Sequence, residues 1–234
     1  CILMADNVQR DSLINDILRK AKKYDVPVKS ISRKKLDEIS ERGSHQGVMA
    51  ETKPFDYVNV TTILEAAEKS AAEHDGRALI VVLDHLTDAG NLGAIARSAE
   101  SVGACGIIIP NKRAAHVTAA TYKSSAGAIA HIPVSQVANI STCLDRLKKE
   151  GFWVAAATEH AQEYVWDANL KGRIVLVMGN EGEGVSRLVL ESCDFGVKLP
   201  QVGDISSLNV AQASTACMYE WLRQNRTAAE GLRG

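Results

Sequence analysis

The chain has 234 residues, of which 46% are hydrophobic and 24% charged, with a formal net charge of -1. That length allows one large domain or two small ones, and the composition is that of an ordinary soluble globular protein. Near-neutral charge gives no general pull toward nucleic acid, so such a contact needs a local basic patch, and no apolar run approaches the roughly 20 residues of a membrane helix. Five cysteines, Cys1, Cys105, Cys143, Cys193 and Cys217, form no CxxC pair. They read as reduced thiols of a cytoplasmic protein, not as a disulfide or zinc framework. The six histidines are dispersed without a recurring ligand spacing, so no metal site is expected. No secretory signal is visible, and the chain opens on Cys1, so sequence ahead of it is expected.

Residues 2–4 are a short apolar run that reads as a strand. Between 11 and 24, Leu13, Ile14, Ile17, Leu18 and Ala21 repeat at the helical period. Val26-Pro27-Val28 reads as an edge strand, because proline is confined to edges and strand starts. Ser32 caps a short helix carrying Leu36 and Ile39, and His45-Gln46-Gly47 leads into another strand. Residues 1–52 thus form a small α/β unit with a local basic excess, including Arg19, Lys20, Lys22, Lys23, Arg33, Lys34 and Lys35. Taken alone, those charges fit a solvated surface slightly better than an RNA contact. Residues 53–77 change character: Pro54 breaks the pattern, and Thr62 caps an Ala/Glu-rich helix over 63–74, either a linker or the first helix of the next domain.

From Ala78 the pattern alternates. Strands are expected at 79–83, 107–109, 132–134, 153–157, 174–178 and 197–199. Helices are expected at 92–102, 140–150, 187–192 and 207–225. The alternation predicts a mostly parallel sheet with helices on both faces over 78–234. Tyr164-Val165-Trp166 interrupts a loop, and such an aromatic pair is more often packing than a base-stacking platform.

Three stretches carry chemistry. In the first, the buried strand ends at Asp84, a polar turn follows, and Asn91 opens a helix that also carries Arg97. Six residues span about 600° of helix, so Asn91 and Arg97 lie some 120° apart around the axis. An arginine among alanines needs a partner: an internal ion pair with Glu100 or Glu181, or a phosphate or ribose. The second, Gly179-Asn180-Glu181-Gly182-Glu183-Gly184, matches no nucleotide fingerprint, lacking the lysine of a phosphate loop and coming late in the chain. Its carboxylates would repel a polyphosphate; a neutral or cationic ligand such as S-adenosylmethionine fits better. The third runs from Leu199-Pro200-Gln201 to Ser207-Leu208-Asn209, where Ser206 or Ser207 can cap the closing helix. Glycines in both later stretches let backbone approach a ligand, at the sheet edge where open α/β folds bind.

In this order and spacing the stretches resemble the three motifs of the SpoU (TrmH) branch of the SPOUT RNA ribose 2′-O-methyltransferases. Asn91-Leu92-Gly93 through Arg97 resembles the first motif, 178–186 the second and 199–210 the third. Residues 1–52 resemble part of the family's substrate-RNA-binding domain. The resemblance implies a parallel-sheet SPOUT fold with a C-terminal trefoil knot, an exception to the rule against knots, and a homodimer. It implies S-adenosylmethionine held by Gly179, Leu199 and Leu208, with Asn180 and Thr158 nearby. It implies Arg97 at the target nucleotide, with Asn91, Glu181, Ser207 and Asn209 shaping the site. Ala89 departs from the family's usual proline, and Gln201 from its common methionine.

The implied reaction is methylation of a ribose 2′-hydroxyl in RNA, by layout a guanosine of 23S rRNA. The family proposal makes the motif-one arginine a base, whereas its persistent protonation favours a positioning role. A transfer RNA substrate, or a non-catalytic ribosome-assembly factor that kept the fold, are the alternatives.

Overall fold

The computed structural model describes residues 1–40, 45–204 and 207–226. The chain divides into two compact units, Cys1–Phe55 and Asp56–Gly234.

In the first unit β1 (Ile2–Ala5) lies between β2 (Val28–Ile31), parallel to it, and β3 (Val48–Ala50), antiparallel. Two helices accompany them, α1 (Ser12–Lys23) and α2 (Arg33–Ile39). Asp11 caps α1 by accepting from the Ile14 amide at 2.8 Å, and Ser32 caps α2 through the Lys35 amide at 3.3 Å, each satisfying a donor left over at a helix start. Leu3, Ala5 and Leu36 form the core, with Ile31 and Met49 packed against it. The expected strand at 26–28 begins two residues later. Pro27 has no N–H to donate, and only its carbonyl joins the ladder, accepting from the Ile2 amide at 2.8 Å. Several of the basic side chains are answered locally: Asp16 pairs with Lys20 at 2.9 Å and with Arg19, and Lys35 pairs with Glu38 at 3.3 Å.

The second unit begins with α3 (Val60–Glu73) and β4 (Ala78–Leu83), followed by α4 (Ala89–Ser101), β5 (Gly106–Pro110) and α5 (Ala119–Ser124). Then come β6 (Val134–Val137), α6 (Ile140–Lys149), β7 (Trp153–Ala157) and the two-residue β8 (Glu163–Tyr164). β9 (Arg173–Met178), α7 (Arg187–Glu191), β10 (Phe195–Lys198) and α8 (Val210–Asn225) complete it. Among the described residues the sheet has seven strands in the order β6-β5-β4-β9-β7-β10-β8, every pairing parallel. β4 is buried throughout, as a strand covered on both faces requires. Its Ala78, Ile80 and Val82 point to one side, where Ile63, Leu64 and Ala67 of α3 and Leu144 and Leu147 of α6 complete the core. α3 is therefore a packed helix of this unit. Among the described residues no helix is long and apolar enough to cross a membrane.

Several boundaries differ from the sequence expectation, each for a local reason. β6 starts at Val134, not 132, since Pro133 offers the ladder only its carbonyl, accepting from Ile107 at 2.9 Å. Asn59, not Thr62, caps α3: its Oδ1 accepts from the Thr62 amide at 3.0 Å, so Thr62 lies inside the first turn. Asn209, not a serine, caps α8 through the Ala211 amide at 2.9 Å; Ser206 lies outside the described residues, and Ser207 precedes the helix. Helix α4 starts at Ala89, its first helical position, and is capped by Asp88 accepting from Asn91 at 2.6 Å. The first helical N–H is spare, which is why proline suits that position and why alanine leaves the cap intact.

The register fixes where the site forms. Leu83 of β4 pairs with Met178 of β9, Met178 with Ala157 of β7, and Ala157 with Val197 of β10. Four strands thus end side by side, at the point where the chain order reverses between β4 and β9. That is where open parallel sheets leave a crevice.

The approach of α4 to α5 depends on Gly93. A Cβ there would fall 2.0 Å from Ser124 Oγ and 2.5 Å from the Thr121 carbonyl oxygen. Gly93→Ala should lower unfolding stability by about 1–3 kcal/mol through overpacking. Denaturant titration checks this; an unchanged midpoint would show that the helices are not in contact there.

Candidate functional site

The site is assembled by loops that leave the aligned strand ends. Directly after β4, Asp84 is almost wholly buried, 1% exposed. Its Oδ2 accepts from the Ser186 amide at 2.7 Å and its Oδ1 lies 2.6 Å from His85 Nδ1. Its own amide donates to the Met178 carbonyl at 2.8 Å. A carboxylate taken out of water needs such partners, and here the partners tie β4 to both ends of the loop after β9.

That loop folds back on itself. Asn180 and Gly184 exchange backbone hydrogen bonds of 3.1 Å, and Asn180 Oδ1 accepts from the amides of Gly182 at 2.9 Å and Glu183 at 2.7 Å. Gly179 is the point of closest approach: a Cβ on it would lie 1.9 Å from the Gly184 carbonyl carbon. Gly184 has φ +67°, a backbone conformation glycine adopts without strain. Val185 and Val189 beyond the loop are buried, so the loop is pinned at its base and closed across its neck.

The three stretches meet through amide side chains. Asn91, in the first turn of α4, donates from Nδ2 to the Glu181 carboxylate, while its Oδ1 accepts from Asn209 Nδ2 at 3.0 Å. Asn209 uses its Oδ1 to cap α8. Each amide thus works at both ends, and their orientations fix one another. Further along, Ser98 Oγ and Thr215 Oγ1 are 2.7 Å apart, joining α4 to α8. Arg97 projects from the exposed side of α4. Neither Glu100 nor Glu181 pairs with it, and among the described residues its guanidinium has no ion pair or hydrogen bond. The internal salt bridge considered from sequence is therefore absent there.

A cavity of about 360 Å³ opens between the loops, lined by Thr158, Gly179, Asn180, Leu199 and Leu208, and also by Glu181 and Ser207. Asn91, Asn209 and Arg97 are not in its wall; Asn91 reaches it through Glu181, and Asn209 through Asn91. The volume lies in the range of small-molecule sites. Its lining residues include three acidic ones, Glu159, Glu181 and Glu183, against one lysine, Lys198, with His160 alongside. That balance suits a neutral or cationic ligand and opposes a polyphosphate. Burial pushes the Cys217 thiol, which also faces the cavity, up to about 12, so it stays neutral and acts as an apolar wall. S-adenosylmethionine, with its sulfonium cation and flat aromatic purine, fits this lining.

Sequence reasoning places Asp84 only at a strand end and misses Glu159 and His160. A charged residue closing a six-residue apolar strand is the signal that could have found Asp84. Nothing in the pattern around 159–160 marks those two, which reach the cavity because β7 ends beside β9.

Known proteins share this architecture. Residues 78–219 match the SpoU rRNA methylase family, and residues 1–58 match the RNA 2′-O ribose methyltransferase substrate-binding family. A protein of Bacillus subtilis named as a TrmH family tRNA/rRNA methyltransferase is 38% identical over 227 residues, covering 97% of this chain and 89% of its own. The SpoU methyltransferase AviRb of Streptomyces viridochromogenes superposes with a TM-score of 0.77 at 26% identity, over 96% of this chain and 81% of that one. Its complex with AdoMet gives 0.75 at 27% identity, over 95% and 82%. With motifs, sheet order and site loops all converging, the chain belongs to the SpoU family of RNA 2′-O-ribose methyltransferases.

Proposed function

We propose that this protein transfers the methyl group of S-adenosylmethionine to the 2′-hydroxyl of a guanosine ribose in 23S ribosomal RNA. The observation that carries the donor site is the cavity lined jointly by residues 179–185 and by Leu199, Gln201, Ser207 and Leu208. The donor supplies an activated methyl carbon on a sulfonium. In this reading backbone groups of Gly179, Leu199 and Leu208 hold it, Asn180 and Thr158 flank it, and the cavity carboxylates favour its positive charge.

The chain's remaining task is alignment and management of the hydroxyl proton. Alignment alone can supply much of the rate when the reacting atoms are held in line. Arg97, exposed and unpaired among the described residues, has a guanidinium free to take an RNA phosphate, a geometry it matches in two-pronged fashion. Because that guanidinium stays protonated, we assign it to positioning the acceptor and lowering the hydroxyl's pKa, not to accepting the proton. Asn91, Glu181, Ser207 and Asn209 shape the same end of the cavity, with Glu181 oriented by Asn91.

The family's homodimer and C-terminal trefoil knot belong to this reading, as does a cytoplasmic location. The match of residues 1–58 to an RNA substrate-binding family supports an RNA acceptor. A second reading, with transfer RNA as acceptor, is favoured by the names of the relatives, which give both RNAs.

Arg97→Ala should lower kcat on the RNA substrate by on the order of 10²-fold or more while calorimetry shows S-adenosylmethionine binding unchanged. Near-normal turnover would remove Arg97 from the acceptor site. Mapping ribose methylation in a strain lacking the gene separates the substrates: loss of one 2′-O-methylguanosine in 23S rRNA is expected, and loss confined to transfer RNA would establish the second reading.

A further inference from the structure

The pair expected from sequence to be packing is not buried. Val165 takes the core position, 1% exposed, while its neighbours Tyr164 and Trp166 are 40% and 54% exposed. The chain turns directly after Tyr164, whose carbonyl accepts from the Asp167 amide at 3.0 Å and the Ala168 amide at 3.1 Å, and this turn buries Val165 while leaving both rings outside. The rings stack on each other, centroids 6.5 Å apart and planes at 28°. Tyr164 ends β8, the outermost strand of the sheet, which pairs only with β10 among the described residues, and Trp166 lies in the turn after it. Directly across that pairing, Lys198 opposes Tyr164 and holds its ammonium 5.1 Å from the ring centroid. Lys198 also lines the cavity assigned to the methyl donor, so one residue links the aromatic pair to the cavity.

We propose that Tyr164 and Trp166 form a stacking platform for an unpaired base of the RNA substrate, next to the nucleotide whose ribose is methylated. The inference rests on the RNA reading above and adds a contact surface to it. Two neighbouring aromatic faces offer any base a partner, and Lys198 adds a cation at the ring. Exposed Glu163 and Asp167 flank the rings, disfavouring a phosphate there and leaving the neutral base as the fitting occupant. Large exposed aromatics beside a binding cavity are also what an interaction surface looks like.

The test uses the full chain and a mixed-sequence single-stranded oligoribonucleotide of about a dozen residues, with an abasic oligomer of equal length as control; stacking is worth about tenfold or more in affinity per base. Tyr164→Ala and Trp166→Ala should each weaken oligonucleotide binding about tenfold, and Trp166→Phe should restore most of it. Binding of the abasic oligomer, affinity for S-adenosylmethionine and sedimentation should not change. If the alanine variants bind the oligonucleotide like wild type, or lose the abasic oligomer equally, the platform is wrong. A change in sedimentation on Trp166→Ala would also overturn it, assigning the rings to contact between copies. Failure of the wild type to bind S-adenosylmethionine would instead count against the methyltransferase reading, independently of the oligonucleotide comparison.

Discussion

A buried carboxylate sets the shape of the site. Asp84 sits at the end of an all-apolar strand, 1% exposed, where an unpaired charge would cost several kcal/mol. Its oxygens are answered by the Ser186 amide and His85, and its amide by Met178. Satisfying Asp84 therefore requires the loop after β9 to return to the end of β4. Gly179 and Gly184 make that return sterically possible, because their backbones meet at a distance that leaves no room for a Cβ on Gly179.

Everything else at the site depends on parallel register. Leu83, Met178, Ala157 and Val197 lie in adjacent register across four strands, so the loops leaving these strand ends open on the same crevice. Asn91 then links the stretches, holding Glu181 with one end of its amide and Asn209 with the other. A side chain with both ends used has little freedom, and Glu181 is held on the cavity wall as a result. Arg97, on the same helix, is left without a protein partner among the described residues, the condition a residue needs if its partner is to come from the substrate.

The sequence was most informative where chemistry and spacing repeat. The alternation from Ala78 onward read as a parallel sheet because continuous apolar runs such as 79–83 fit only strands covered on both faces, and the three motifs located the loops. It was less informative where one hydrogen bond decides a boundary. Pro27 and Pro133 join their ladders by carbonyl alone, shifting two strands. Asn59 outcompetes Thr62 as a cap, and Asn209 caps α8 in place of a serine, because helix starts depend on which side chain reaches a free amide. The exposure of Tyr164 and Trp166 was not legible, since a three-residue run does not say which of its members faces inward. The return of the 179–186 loop to Asp84 is a contact across 102 positions, which no local pattern contains.

The central claim is that the 179–186 loop, together with Leu199, Gln201, Ser207 and Leu208, encloses a methyl donor. Ultraviolet cross-linking of methyl-labelled S-adenosylmethionine to the full chain, followed by tryptic mapping, tests it most directly. The account predicts label in the peptides spanning 174–187 and 199–223, competed by unlabelled donor. Saturable label confined to peptides outside both, such as those of residues 1–55, would contradict it.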